Sequence, residues 1–325
     1  MKALQLVGVN QPLVWADVPD PTPGPGEVVI DVRAAGLCHS DIGYIEGVIP
    51  DIVLPRVLGH EVAGVISVVG EGVAGFEVGD RVVVSSAADG SIGDLYAAGI
   101  DGSSWIGVTR DGGYEDKVVG RVEELRAIPD GLTFAQAAVA TDAGMTSYAA
   151  VHRAGGVTSG TRVGIVGLGG LGLSGAKLAV LAGAEVYGAE INEAAHAAAI
   201  DAGVLECVAE ASDLARFDLD VIIDFAGFGT TTADSLLAVK QGGRVVLVGM
   251  GANTALIQTL PLIMKEVSLV GSLGGTSDDV VGVMDLMARG DFRIDTVEID
   301  FEGIPEGLRT LAGGGLPGKR QVAVR

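Results

Sequence analysis

The stretch RVGIVGLGGLG at 162–172 restricts the fold of this chain more than any other. It runs from an apolar, β-rich strand straight into an Ala- and Leu-rich helical stretch at 173–182, and it sets Gly167, Gly169 and Gly172 in the spacing G-x-G-x-x-G. In that context each glycine has a task. The first makes the tight turn, the second lets backbone approach a pyrophosphate, and the third lets helix and strand pack closely, while the free N–H groups and positive dipole of the helix N-terminus face the phosphates. Gly167, Leu168, Gly169, Gly170, Leu171 and Gly172 are the candidate contacts. Three glycines alone would say little in a chain that holds 51, so the strand-to-helix setting carries the reading. The following strand, AEVYGAE, ends at Glu190, where a carboxylate accepts hydrogen bonds from ribose hydroxyls and repels a 2′-phosphate. Ile191 and Asn192 follow with no Arg or Lys nearby, which favours NAD(H) over NADP(H). The plain alternative is a glycine turn in a sheet with Glu190 merely exposed.

Around this motif, strands at 163–166, 185–188, 221–224, 244–248 and 267–271 alternate with helical stretches, the pattern of a doubly wound parallel sheet. The first 85 residues instead carry short β runs at 3–7, 27–34, 62–69 and 81–84 between turn segments, an all-β unit expected to close as a small barrel. The tail is expected to hold one amphipathic helix, 278–288, and then short strands that return to the first domain. The expected organisation is α/β: a catalytic domain of 1–148 and 276–325, and a Rossmann coenzyme domain of 149–275. The last Rossmann strand, VSLVGSL at 267–273, is apolar and would lie at a sheet edge, which predicts a homodimer or homotetramer.

Composition removes whole classes of partner. Acidic residues outnumber basic ones 42 to 21, and a net charge of −21 opposes nucleic acid and anionic membrane surfaces. The most apolar window, 163–184, is interrupted by Lys177 and many glycines and makes a poor membrane span. The opening MKALQLVGVNQPLVWADVPD reads as a strand and not a signal peptide, so a cytoplasmic protein is expected. With Cys38 and Cys207 alone, no disulfide framework and no four-cysteine metal site can form.

Two short segments of the β unit are odd as packing: Cys38-His39-Ser40-Asp41 and Gly59-His60-Glu61. Singly, Cys38 reads as a small buried hydrophobe and His60 as a hydrogen-bonded turn residue. Together they offer a thiolate and an imidazole, good zinc ligands, with a carboxylate at hand to orient the imidazole. A catalytic zinc needs a third protein ligand. Asp142 in ATDAGMTSY is the stronger candidate, since Cys207 follows the second helical stretch of the coenzyme domain and reads as packed.

GLCHSD at 36–41, GHEVAGVISVVGEGV at 59–73, VGDRV at 78–82, DGGYEDKVV at 111–119, TDAGMTSY at 141–148 and VGIVGLGGLG at 163–172 together resemble the zinc-dependent alcohol dehydrogenases of the medium-chain dehydrogenase/reductase superfamily. The resemblance spans essentially the whole chain. It implies a GroES-like catalytic domain, a Rossmann domain and one catalytic zinc in the cleft between them. On it, Cys38, His60 and Asp142 look like the zinc ligands, and Glu61 like a carboxylate that displaces the bound water transiently. Whether Glu61 or Asp142 is the permanent third ligand stays open. Asp41 looks like the partner of His60, and Ser40 like the hydroxyl that passes the alcohol proton outward. His39 resembles the residue that meets the pyrophosphate, and Thr146 one that packs on the nicotinamide. Leu273, Gly274 and Gly275 resemble the segment lining the nicotinamide, with Phe225, Gly227 and Gly249 at other strand ends along the cofactor.

Two departures matter. The lobe that often holds a second, structural zinc contains no cysteine here, and Asp89, Asp94 and Asp101 within it fit no EF-hand spacing, so one zinc per chain is expected. Where some relatives complete a proton relay with a His, this chain has Gly43, so the proton leaves through Ser40, ribose and water. His152 and His196 lie on helical stretches without metal-ligand spacing and read as surface or cap residues. The function expected is interconversion of an alcohol and its aldehyde or ketone by hydride transfer with NAD(H). The rivals are a zinc-free enoyl- or quinone-type reductase of the same fold and a non-enzymatic nucleotide-binding protein.

Overall fold

Short runs rich in Val and Ile between turn residues form antiparallel strands, and the described residues at the front of the chain supply β1 (Lys2–Leu6), β2 (Val14–Asp17), β3 (Glu27–Gly36), β4 (Arg56–Val57), β5 (Glu61–Val69), β6 (Arg81–Val84), β7 (Lys117–Arg121) and β8 (Leu125–Ala127). The structure is a computed structural model that describes residues 1–49, 52–86 and 105–325. Asp89, Asp94 and Asp101 lie outside the described residues. A second region supplies parallel strands: β9 (Arg162–Val166), β10 (Glu185–Ala189), β11 (Glu206–Val208), β12 (Val221–Asp224), β13 (Arg244–Leu247) and β14 (Ser268–Gly271). The tail adds β15 (Thr296–Ile299) and β16 (Arg320–Val324).

The chain divides into two units. One comprises Met1–Asp142, Gly275–Gly290 and Ile294–Arg325, and the other Ala143–Gly274 with Asp291–Arg293. In the first, a sheet of order β15-β16-β3-β5-β6-β8, with β7 also on β3, accompanies the smaller sheet β2-β1-β4. Its core, including Leu4, Leu6, Ile30, Leu58, Ile66 and Leu125, is almost fully removed from solvent, and each such side chain contributes about 1.5–3 kcal/mol. In the second unit the order is β11-β10-β9-β12-β13-β14, all parallel. The order reverses between β9 and β12, so the crevice outside their carboxyl ends is the ligand position of this architecture. The second unit is thus a Rossmann sheet, and the first has the strands of a GroES-like domain.

The tail corrects one expectation. Besides the helix Ser277–Ala288 there is a second helix, Ile304–Ala312. Pro305 and Gly307 read as breakers, but proline is tolerated in a first turn, and Ile304, Leu308 and Leu311 fall on one buried face. Gly307 lies where the helix crosses Leu37, and a Cβ there would come within 2.6 Å of the end of the Leu37 side chain. Among the described residues, no helix is long and apolar enough to cross a membrane.

Candidate active site

Strand register assembles the cluster. β3 and β5 pair antiparallel with Gly36 opposite Glu61, so Cys38, two residues past Gly36, emerges beside His60, which precedes β5. β16 pairs with β3 on its other side, Val322 opposite Gly36, and the amide of Leu37 donates to Gln321 O at 3.0 Å. Continuing that register brings Arg320 to the same place. Asp142 arrives from a π-helical turn, Ala140–Gly144, that interrupts the helix begun at Phe134–Val139. Turns of this kind recur at functional sites because the extra residue redirects a side chain.

One donor atom from each of Cys38, His60, Glu61 and Asp142 lies within 4.8 Å of all the others. The Cys38 thiol reaches Asp142 Oδ2 at 3.3 Å, and His60 Nε2 is 3.7 Å from the same oxygen. Ligands around a tetrahedral zinc sit roughly 3–4 Å apart, since each is about 2.0–2.3 Å from the metal. The residues therefore fit a zinc ion. The chemistry agrees: a thiolate, an imidazole and carboxylates, with Glu61 Oε2 buried and lacking any hydrogen-bond partner. His60 Nε2 is the nitrogen that faces the other donors, because Nδ1 points to Asp41 Oδ1 at 3.5 Å.

The electrostatics are those of a charge cluster out of water. Burial alone would lower the His60 pKa, but the charge of Asp41 and contacts with Asp142, Asp41 and Cys38 outweigh it and hold the imidazole well above its ordinary value. Burial works to raise Asp142, yet its bond to His60 and the charges of His60 and Arg320 hold it well below the carboxylate range. Burial pushes Glu61 up, opposed by the Arg320 guanidinium with which it is paired. Ser40 Oγ lies 3.6 Å from Cys38 Sγ, beside the cluster.

In the second unit, the glycine turn follows β9 and the helix Gly170–Leu181 begins directly after Gly169. A Cβ on Gly172 would meet Gly167 O at 1.8 Å, so helix and turn touch backbone to backbone, whereas a Cβ on Gly169 would enter open space. Leu168 is buried, and Gly170 and Leu171 open the helix. Glu190 follows β10 and takes the amide of Leu168 on Oε2 at 2.7 Å and that of Asn192 on Oε1 at 2.9 Å. Its carboxylate is thus fixed against the glycine turn, with lone pairs to spare on both oxygens. Phe225 and Gly227 follow β12, Gly249 follows β13, and Leu273 and Gly274 follow β14, all in this unit with Thr146. Gly275 and His39 belong to the first unit.

The remaining single residues find places. Cys207 lies on β11, half-buried, its sulfur 3.1 Å from where a Cβ of Gly188 would be, and burial raises its pKa, which suits a packed thiol. His196 opens a helix and its Nε2 lies 2.6 Å from Glu190 O, while His152, in a π-helical turn, packs its ring tilted by 52° against Tyr148. Sequence reasoning missed Arg320 and Tyr114. Arg320 stands at period-two spacing with Val322 and Val324 in GKRQVAVR, a signal that a cation shares a buried strand. Tyr114 gave no signal beyond its place in DGGYEDKVV.

Residues 24–130 match the model of the alcohol dehydrogenase GroES-like domain, and residues 170–289 that of the zinc-binding dehydrogenases. The chain belongs to the medium-chain alcohol dehydrogenase family. Within it, an NAD-dependent alcohol dehydrogenase of Sulfurisphaera tokodaii is 33% identical over 316 residues, covering 89% of this chain and 90% of that one. An acryloyl-coenzyme A reductase of the same organism is 31% identical over 324 residues, covering 96% of each. Among solved structures, acetophenone reductase from Geotrichum candidum in complex with NAD superposes with a TM-score of 0.92 at 29% identity, covering 100% of this chain and 97% of that one. Like these family members, the chain is an enzyme.

Proposed function

We propose that this chain is a zinc-dependent alcohol dehydrogenase or carbonyl reductase that uses NAD(H). The observation that carries the reading is the convergence of Cys38, His60, Glu61 and Asp142 within 4.8 Å, a donor set that reduction of a conjugated C=C bond does not require. Zinc held by these residues supplies Lewis-acid polarisation of an alcohol or carbonyl oxygen, and NAD(H) supplies the acceptor or donor of hydride. The rest falls to the chain. Cys38, His60 and Asp142 would hold the metal, with Glu61, tethered by Arg320, as a further donor. Ser40 Oγ, beside the cluster, would take the alcohol proton and pass it on through the ribose hydroxyl to water, since Gly43 offers no further relay. The glycine turn admits a pyrophosphate at the N-terminus of Gly170–Leu181, and Glu190 binds ribose hydroxyls while rejecting a 2′-phosphate.

A second reading has its own support in the acryloyl-coenzyme A reductase likeness: reduction of a conjugated C=C bond. One experiment separates the two. Metal analysis of purified protein is combined with assays of primary and secondary alcohols with NAD and of α,β-unsaturated thioesters with NADH. About one zinc per chain, and alcohol oxidation abolished by a chelator and restored by zinc, is the expected result. A metal-free protein that reduces the thioester sinks the first reading.

The reading extends to assembly and location. The enzyme is a homo-oligomer built on the edge strand β14, and it works in the cytoplasm, where its two thiols stay reduced.

A further inference from the structure

Tyr114 is among the largest fully buried side chains, yet it carries a hydroxyl into the interior of the first unit. That hydroxyl reaches Asp41 Oδ2 at 2.8 Å, with Gly36 O at 3.2 Å as the weaker acceptor. Asp41, fully buried, also takes the amide of Cys38 on Oδ2 at 3.0 Å and that of Gly59 on Oδ1 at 3.3 Å, and the same Oδ1 faces His60 Nδ1. One carboxylate therefore joins the two donor-bearing segments, 36–41 and 57–61, and Tyr114 adds a side-chain hydroxyl donor to it. The ring is fixed as firmly as the hydroxyl. Tyr114 N donates to Leu58 O at 3.1 Å, Gly113 N to Gly59 O at 2.7 Å, and the ring lies where a Cβ of Gly59 would come within 2.6 Å of Cδ1. Gly59, at φ +91, is the residue that permits this, and it immediately precedes His60.

We infer that Tyr114 is a positioning residue for the metal cluster: by fixing the rotation of the Asp41 carboxylate, it sets the orientation of His60 and so the affinity and geometry of the metal site. The physical ground is that a metal-bound imidazole is oriented by the acceptor on its other nitrogen, and loss of such outer partners costs 10–100-fold in metal affinity. His60 Nδ1 has its facing carboxylate at 3.5 Å but no completed hydrogen bond, so the alignment depends on whatever fixes Asp41. Without the phenol, Oδ2 keeps a single backbone donor and the carboxylate is freer to turn. The inference rests on the zinc reading above, and the test keeps the two apart.

Apo-protein is titrated with zinc against a chromophoric chelator, and with Co²⁺ to record its visible absorption, for wild type, Tyr114→Phe, Asp41→Asn and the double variant. Failure of the wild type to bind one metal ion would refute the zinc reading itself, whatever the variants do. With wild type binding, Tyr114→Phe is expected to keep its circular dichroism, to bind zinc about tenfold more weakly and to shift the cobalt bands. In the Asp41→Asn background the same change is expected to add nothing, because Tyr114 acts through Asp41. Wild-type affinity and cobalt spectrum in Tyr114→Phe, or a full additive loss in the double variant, would overturn the proposal. If Tyr114→Phe does not fold, 3-fluorotyrosine placed at position 114 alone preserves shape and hydroxyl and gives one ¹⁹F signal. That signal is expected to move on zinc addition, and a signal indifferent to the metal would overturn the proposal equally.

Discussion

Arg320 and Glu61, 259 residues apart in sequence, form an ion pair with both side chains buried. The guanidinium occupies Oε1 and leaves Oε2 without a hydrogen bond. A charge taken out of water is stable only beside its partner, and removing one member of such a pair costs about 3–5 kcal/mol. Arg320→Met is therefore expected to destabilise the apo-protein by about that amount in urea unfolding. The double variant Arg320→Met/Glu61→Gln should recover most of it, since no lone charge remains. Equal losses in the single and double variants would show that the pair is not what stabilises this point.

The two carboxylates of the cluster differ in how they are held, and this separates their roles. Asp142 Oδ2 lies 3.3 Å from Cys38 Sγ and 3.7 Å from His60 Nε2, with Arg320 farther off at 3.9 Å, whereas Glu61 is paired directly with Arg320. Zinc content should fall to near zero in Asp142→Ala and stay near one per chain in Asp142→Cys, because a thiolate replaces the carboxylate as a ligand. Glu61→Gln should keep its zinc and turn over more slowly. Plasma emission metal analysis decides it, and a fully loaded Asp142→Ala would assign Glu61 as the permanent ligand.

Much of the fold was legible because it rests on short-range patterns. The strand at 221–224 and that at 81–84 appear in the structure with the same bounds, since apolar runs between turn residues have few other options. The helix Ile304–Ala312 was not legible, because Pro305 and Gly307 disguise an apolar face that only its packing against Leu37 reveals. Cys38, His60 and Asp142 stood out as chemically unusual residues, but Arg320 became part of the same cluster only through the register of β16 on β3. Pairing partners separated by nearly the whole chain leave no trace in local pattern.

On the proposed function, Glu190 is expected to set the coenzyme preference by charge. Its two oxygens are fixed by the amides of Leu168 and Asn192, so a 2′-phosphate placed there meets an immobile negative group. Glu190→Ser is expected to weaken NAD binding, read as a raised KM, and to narrow the preference over NADP by tenfold or so, about 1.4 kcal/mol. Steady-state kinetics with both coenzymes test this, and a wild type that already prefers NADPH removes the argument.

The far edge of the Rossmann sheet is strongly apolar for a free surface. Leu256, Leu260, Ile263 and Met264 are 93%, 67%, 68% and 68% exposed, and none of the helix Thr259–Met264 is buried. Among the described residues, β14 beside it has β13 on one side only. A second copy pairing along β14 would satisfy the open strand and cover these side chains. Light scattering at micromolar concentration is expected to give at least a dimer, and Leu260→Lys/Ile263→Asp a monomer. A monomeric wild type ends this proposal.

Glu115 is expected to give the protein a pH dependence unconnected with the metal. It follows Tyr114, bridges to Ala3 through the backbone and is 4% exposed, so burial, reinforced by the charges of Asp111 and Asp116, raises its pKa to about 9 from 4.5. Between those two values the folded chain keeps a proton that the unfolded chain releases. Stability from this group is therefore complete below the unfolded value and declines as pH rises toward the folded one, by up to about 1.4 kcal/mol per pH unit. Glu115→Gln stays neutral at every pH and removes that slope. The variant should match wild type in melting temperature near pH 5 and melt progressively higher than wild type from pH 6 to pH 8, measured on apo-protein by scanning calorimetry. Parallel curves for the two proteins would mean that Glu115 is ionised in the folded state and its burial is compensated.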